Sequence, residues 1–566
     1  MAESYFLLAA TFIPLLLAPV AYVLGRKAGV NTATWFSFGA LAVSTGLLVI
    51  PALGIFGNGH QIYTESYRWG QFGDFGLRLD GLSLPFALTI YLLCTVLALY
   101  SKPYMVHKIM EDLPGHGGAH GSGHPSPGNT AMSQTTVLDT QKHVNNQIGL
   151  YFALYLAFSM GMLGTVLSTN LIEFYVFFEL MLVPSFFLVA FYGYGARRRI
   201  ALMFFFWTHA GAVVLLLGLL AMGFFAGGFD FDTIKANAGQ IPAEWLPLII
   251  FAIVAGLGVK LAAFLLHIWL PYAHAEAPTP VSALLSPAMI GIGAYGLVRL
   301  WMELLTGSYE QYSLYINMWG LATMIYGGAM ALMQDDIKKV LAYSSISQMG
   351  YILFGLGSES ILGITGATML YITHGLGKAI LFMMAGSIIL QTGTRSMSKL
   401  GGLAGKMPYT AVIAMIGALT IIGIPPTSGF MAEWILFNGV LQTATADMDP
   451  FRVTLFAFGI LATVLSSAYI LWMYKRIFFG KIPEELAHVK DASRYITVTM
   501  AAFAAFTLVI GVYPDLFLTP VTDYVGGVIF EGQDGVLPVP VQAEVVGAAN
   551  GSAVEDIVSE GEGALG

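Results

Sequence analysis

Residues 256–280 read GLGVKLAAFLLHIWLPYAHAEAPTP. The stretch is apolar enough to lie in a bilayer, yet it holds Lys260 and His267 and runs into Pro271, Pro278 and Pro280. Proline removes amide donors and interrupts helices. Inside a membrane the freed carbonyls are tolerated only when buried in protein or facing a wet cavity. The segment reads as an interrupted membrane helix carrying ionisable groups. The rest of the chain agrees. Only 10% of its 566 residues are charged, against about 25% in soluble domains, and 57% are hydrophobic. Too few charges exist to cover soluble domains, which excludes a water-soluble enzyme. The apolar runs are long and continuous rather than alternating, which argues against an outer-membrane barrel. The fold class is all-α and polytopic.

A span needs about 20 mostly apolar residues. Fourteen segments qualify: 5–25, 33–56, 81–101, 148–168, 170–192, 200–227, 246–270, 279–302, 313–333, 340–357, 361–391, 409–439, 453–474 and 496–518. The first lacks a basic leader and reads as a retained span. With the N-terminus outside, the inner segments hold eighteen of the 25 Lys and Arg residues and the outer segments four, Arg68, Arg78, Lys235 and Arg452. That is the excess the positive-inside rule requires. It places both termini outside, and the whole sits in the plasma membrane of a prokaryote.

Residues 1–101 form three N-terminal helices. The Gly/His/Pro-rich 102–147 region reads as a flexible cytoplasmic loop, whose His116, His120 and His124 either bind a metal or belong to a solvated linker. Helices over 148–302 and 313–474 follow, then a cytoplasmic loop and last helix over 475–518. Residues 519–566 form an acidic tail with disordered composition over 531–566. Cys94 is the single cysteine, so the chain can build no disulfide, Cys-rich zinc site or iron–sulfur cluster. No GxGxxG in a strand–helix context and no GxxxxGK[ST] is present. No cofactor or metal is expected in this chain, and no nucleic acid as partner.

An ionisable side chain at mid-bilayer costs at least a few kcal/mol and is a functional candidate. Five stand out: Glu179 in FYVFFELMLVP, Lys260, His374 and Lys378 in YITHGLGKAILF, and Glu433 in GFMAEWILFNG. They alternate in sign and are spread over four long spans, as a proton relay would be. The bland alternative is a Glu179–Lys260 ion pair that locks two helices. A Glu–Lys pair that forms and breaks can switch a lysine between charged and neutral states, and histidine titrates near neutrality. His267 reads either as a carrier or as a packing residue. His274 is expected past the break, near the inner surface, and Arg299 is expected to snorkel from the outer end of its span. The twelfth span is also interrupted, by GIPPTSGF just before Glu433. Interrupted helices in the two halves of a chain point to an ion pathway.

The runs HIWLPYAHAEAPTPVSALLSPAMIGIGAYGLVR (267–299), DDIKKVLAYSSISQMGYI (335–352) and NLIEFYVFFELMLVPSFFL (170–188) resemble the antiporter-like proton-pumping subunits of respiratory complex I. In IPPTSGFMAEWILF (424–437), Glu433 stands where subunit M (subunit 4) has a glutamate and the sister subunits L and N carry a lysine. The resemblance covers roughly residues 80–480. It implies about 14 transmembrane helices with two inverted five-helix repeats, helices 4–8 and 9–13, and broken helices 7 and 12. It implies a mid-membrane row of charged residues linked by water. In that row Glu179 and Lys260 are the gating pair, His374 the central carrier and Glu433 the far end. It also implies partners: L- and N-type subunits, small helical subunits, the lipid bilayer and a peripheral electron-input arm carrying NADH, FMN, iron–sulfur clusters and quinone chemistry. The sequence departs from the family at Gly291, where subunit M usually has a lysine. Lys378 is the candidate substitute. A multisubunit cation/proton antiporter, a membrane-bound hydrogenase and an F420H2 dehydrogenase are rival assemblies for the same chain.

Overall fold

A computed structural model describes residues 5–57, 61–70, 73–113, 134–446 and 448–530. The three loop histidines and the 531–566 tail lie outside them. The chain opens with helices α1 (Phe6–Ala28) and α2 (Val30–Gly57), then a hairpin of β1 (Tyr63–Arg68) and β2 (Asp74–Leu79). Helices α3 (Ser83–Glu111), α4 (Gln134–Leu167), α5 (Leu171–Tyr192) and α6 (Arg197–Ala226) follow. After the short α7 (Phe231–Asn237) come α8 (Leu246–Leu261), α9 (Trp269–Glu276), α10 (Thr279–Leu284) and α11 (Ile292–Gly296). The second half holds α12 (Tyr309–Leu332), α13 (Ile337–Leu356), α14 (Ile361–Thr392), α15 (Pro408–Ile422), α16 (Ser428–Ala446) and α17 (Pro450–Phe478). The described chain ends with α18 (Arg494–Val512) and α19 (Asp515–Tyr524).

Among the described residues ten helices are long and apolar enough to cross a membrane. Two further apolar helices, α8 and α15, are shorter, because the chain leaves helical geometry after each. Small residues let helices touch without a hydrophobic drive between them. A Cβ at Gly25 of α1 would stand 2.4 Å from the Gly149 Cα of α4.

Several expectations change. Helix α3 runs on to Glu111 and α4 begins at Gln134, so much of the expected 102–147 loop is helical. The hairpin was not anticipated. Its two strands are antiparallel, with Tyr63 opposite Leu79 and Arg68 opposite Asp74. The Glu65 carboxylate accepts the Leu7 and Leu8 amides, each at 2.9 Å. It thereby satisfies free donors at the α1 N-terminus, where a negative charge is favourable. The 279–303 segment is not one regular helix: two π-helical stretches, Leu285–Met289 around Pro287 and Leu297–Glu303, interrupt it.

Arg299 does not snorkel. It is 1% exposed and donates to both Asp80 carboxylate oxygens (2.7 and 2.8 Å), to Glu303 (2.7 Å), to the Tyr295 hydroxyl (3.0 Å) and to the Tyr524 hydroxyl. Arg78 closes the cluster against Asp80 and Glu303, each at 3.2 Å. Two cations meet two buried anions, so the guanidinium is compensated in place. Removing one partner of a buried pair leaves an uncompensated charge at about 3–5 kcal/mol. Asp80→Ala is expected to destabilise the subunit by that order, read as a clear drop in melting temperature and a C-terminal segment open to protease. An unchanged melting temperature would contradict the cluster's role.

Candidate functional site

The site begins where α8 ends. Lys260 lies in its last turn and is 2% exposed. The chain then turns through Ala262 (φ 56°) and Leu265 (φ 75°), left-handed conformations in non-glycine residues. Such residues cost about 1–3 kcal/mol each and persist only where neighbours over-determine them. Here four side chains do so. The Phe264 amide donates to Thr323 (3.1 Å), the Trp319 indole donates to the Phe264 carbonyl (3.0 Å), Trp207 to the Leu266 carbonyl (3.0 Å) and Trp269 to the Val259 carbonyl (2.8 Å). The break therefore precedes the prolines instead of coinciding with them. Pro271 sits inside α9, and Pro278 separates α9 from α10.

The Lys260 ammonium lies over the Phe178 ring, 4.7 Å from its centroid. Among the described residues no carboxylate lies within 4.0 Å of it. Glu179 is the acid within its electrostatic reach, but Glu179 hydrogen-bonds the His209 ring instead, Oε2 to Nδ1 at 2.9 Å. The expected Glu179–Lys260 pair is thus open in this structure. His267 Nε2 meets the Tyr326 hydroxyl at 3.0 Å, while its Nδ1 is buried without a partner.

His274 lies past the break, on α9. It is wholly buried, its ring stacked on Phe382 at 5.5 Å, and neither ring nitrogen has a partner. Both nitrogens of the buried His374 on α14 are also unpartnered. His274, His374 and Lys378 lie within electrostatic reach of one another, and His274 also feels Lys338. The Lys378 ammonium is wholly buried and donates to the Leu341 carbonyl (3.1 Å) and to the Ser344 hydroxyl. No carboxylate pairs with it among the described residues. Isolated buried polar groups of this kind are expensive unless bonded or hydrated.

Glu433 sits at the second break. Helix α15 ends at Gly423 (φ 75°) and α16 resumes at Ser428 after Pro425 and Pro426. A Cβ at Gly423 would meet the Glu433 carboxyl at 2.5 Å, so the glycine provides both the left-handed turn and the space for the acid. Lys378 and Glu433 share no contact. Beside them runs one face of α13: Ser344 bonds Lys378, Gln348 donates to the Ile421 carbonyl (3.2 Å), and Tyr351, like Tyr469 of α17, lies within electrostatic reach of Glu433. Positions 344, 348 and 351 share one side of a helix. A cavity of about 270 Å³, lined by Tyr194, Gly195, Glu276, Lys338, Ile389, Gly393 and Arg395, opens beside Lys338.

Sequence reasoning missed His209, Tyr326 and the α13 polar face. His209, in FFFWTHAGAVV, was available to the criterion that found the other ionisable groups.

A family described as NADH:quinone oxidoreductase/Mrp antiporter, TM matches residues 168–474. The chain belongs to this family. NADH-quinone oxidoreductase subunit M of Rhodobacter capsulatus is 29% identical over 536 residues, 91% of this chain and 94% of that one. F420H2 dehydrogenase subunit M of Methanosarcina mazei is 35% identical over 397 residues, 68% of this chain and 77% of that one. Among solved structures, the membrane-bound sulfane sulfur reductase, an archaeal respiratory membrane complex, matches with TM-score 0.73 at 26% identity, covering 89% of this chain and 75% of that chain. Respiratory complex I from Thermus thermophilus shares the fold with TM-score 0.76 at 22% identity, over 93% and 99%.

At Gly291, where the resemblance implies a lysine, the surroundings are tight. A Cβ there would stand 2.1 Å from the Tyr371 ring, which stacks on Phe86 at 4.2 Å and donates to the Ala288 carbonyl at 3.3 Å. An aromatic ring fills the space a longer side chain would need. Among the described residues no group of three or more His, Cys, Asp or Glu could hold a metal. Gly291→Lys is expected to destabilise the protein by about 1–3 kcal/mol through overpacking. Tyr371→Ala in the same chain should recover part of that loss, measured by thermal unfolding in detergent. No recovery would show that the ring is not the obstacle.

Proposed function

We propose that the chain is a proton-translocating membrane subunit of a complex I-type, redox-driven pump. Its protons move through Glu179, Lys260, His267, His374, Lys378 and Glu433, with His274 and the polar face of α13 completing the row. The observation that carries this reading is the set of buried ionisable groups lacking counter-ions among the described residues, Lys260 and Glu433 at two helix breaks and His374 and Lys378 on the unbroken α14, with Ser344, Gln348 and Tyr351 along one face of α13 beside them. A structural ion pair would be closed. Here Lys260 is free of its acid and Lys378 has none, so both can change charge as water and neighbours rearrange. Lys378 takes the central place that Gly291 leaves empty.

In this reading the ten apolar helices, the two broken pairs α8/α9 and α15/α16, and the more polar α12 and α13 make fourteen spans, ten of them in two inverted five-helix repeats, 148–302 and 313–474. The N-terminus and acidic tail face outward from a prokaryotic plasma membrane. The chain holds no redox centre. L- and N-type antiporter-like subunits and small helical subunits flank it in the bilayer, and NADH, FMN, iron–sulfur clusters and quinone belong to other subunits. A second reading, an F420H2-oxidising complex, is favoured by the 35% identity to the Methanosarcina mazei subunit. The electron-input subunits that copurify with the chain separate the two.

Glu433→Gln and Lys378→Met in the correctly assembled complex are each expected to lower redox-driven proton pumping about tenfold or more, since neither replacement can exchange a proton. Pumping at the wild-type rate in Lys378→Met would remove Lys378 from the path, and in Glu433→Gln would reduce Glu433 to a structural residue.

A further inference from the structure

The proposed pathway does not use His209, yet among the described residues it is the side chain hydrogen-bonded to Glu179. Glu179 Oε2 is 2.9 Å from His209 Nδ1, while its Oε1 is buried without a partner. The Lys260 ammonium meanwhile rests on the ring of Phe178, the residue before Glu179. Glu179 thus stands between two bases. Lys260 is on the inner side, 2% exposed. His209 is on the outer side, its side chain 42% exposed against 20% for Glu179. The outer side belongs to a face of α5 and α6 that also exposes Val176, Leu180, Phe206 and Val213.

His209 is held where it is. Its ring stacks on Phe205, with 5.6 Å between centroids and 11° between planes. Helix α6 also reaches the Lys260 end of α8: a Cβ at Gly211, two residues after His209, would meet the Val259 side chain at 2.6 Å. One helix therefore presents the alternative partner and abuts the turn that carries the lysine. The ionisable groups around the pair are Tyr175 and Glu179 on α5 and Lys260 on α8. Helix α9 packs against α6 through Trp269 on Phe204, and its His274 faces Lys338 and Lys378 instead.

We infer that His209 is a positioning residue that exchanges with Lys260 for the Glu179 carboxylate. With Glu179 on His209, Lys260 loses its counter-ion and is free to lose its proton. With Glu179 returned to Lys260, the lysine is held charged. The gate has three members, and its open position is one that His209 stabilises. This inference rests on the proton-translocation reading and adds a residue to it.

The test uses the intact complex in proteoliposomes, with native gels to confirm assembly. It compares redox-driven acidification in wild type, His209→Leu, Glu179→Gln, the double variant and Glu433→Gln. His209→Leu is expected to slow pumping about tenfold, and the double variant to be no slower than Glu179→Gln alone, because the histidine acts only through that carboxylate. The infrared carboxylate band that disappears in Glu179→Gln should shift in His209→Leu, a change that loss of packing alone would not produce. If His209→Leu fails to assemble, His209→Met, neutral, of similar size and without a hydrogen-bond donor, takes its place with the same expectation. Wild-type pumping in the His209 variant alongside slow Glu433→Gln overturns the exchange and leaves the pathway standing. A double variant slowed by the product of the two single effects overturns it as well. Wild-type pumping in both Glu179→Gln and Glu433→Gln overturns the translocation reading, and the exchange with it.

Discussion

Helix α8 stops inside the protein, and its freed amides and carbonyls must find partners there. No water-exposed loop can satisfy backbone groups within an apolar body, and each group left unpaired would cost several kcal/mol. Trp207, Thr323, Trp319 and Trp269 meet that demand from α6, α12 and α9. In doing so they fix the left-handed turn after Lys260 and tie the two halves of the chain together. Tyr326, one turn beyond Thr323 on α12, reaches His267. The same constraint recurs at α15–α16, where Gly423 makes the turn and leaves room for Glu433.

These breaks set the surroundings of Lys260 and Glu433. A lysine within a continuous apolar helix would need a fixed anion. At the broken end of α8, Lys260 rests on the Phe178 ring with Glu179 within electrostatic reach. Lys378 shows the other solution. It sits mid-way along the unbroken α14 and is held by the Leu341 carbonyl and the Ser344 hydroxyl of α13. Those contacts stabilise the ammonium without adding a negative charge. The buried cluster of Arg78, Asp80, Arg299, Glu303 and Tyr524 is the contrasting case: its charges cancel in place, and it fastens the hairpin and the C-terminal helix.

The membrane class and the site's ionisable groups were legible because a charge in an apolar run is conspicuous at any resolution of the argument. Glu179, Lys260, His374, Lys378 and Glu433 needed no partners to be noticed. Partners were what the sequence concealed. Glu179 is bound by a histidine thirty residues away on another helix, and Arg299 is neutralised by Asp80, 219 residues earlier. Neither spacing follows a helical period. The position of the first break also escaped, because Pro271, Pro278 and Pro280 drew attention past Ala262 and Leu265, whose turn is imposed by tryptophans on other elements. The hairpin went unread because its strands are six residues each and sit between long apolar runs.

The central claim is that the charge on Lys260 must change for protons to cross. The direct measurement compares redox-driven acidification by proteoliposomes holding the intact complex with wild-type subunit or Lys260→Ala, assembly being confirmed on native gels. Loss of pumping with normal assembly is the result the account predicts. Pumping at the wild-type rate would contradict it and place the conducting route in other subunits.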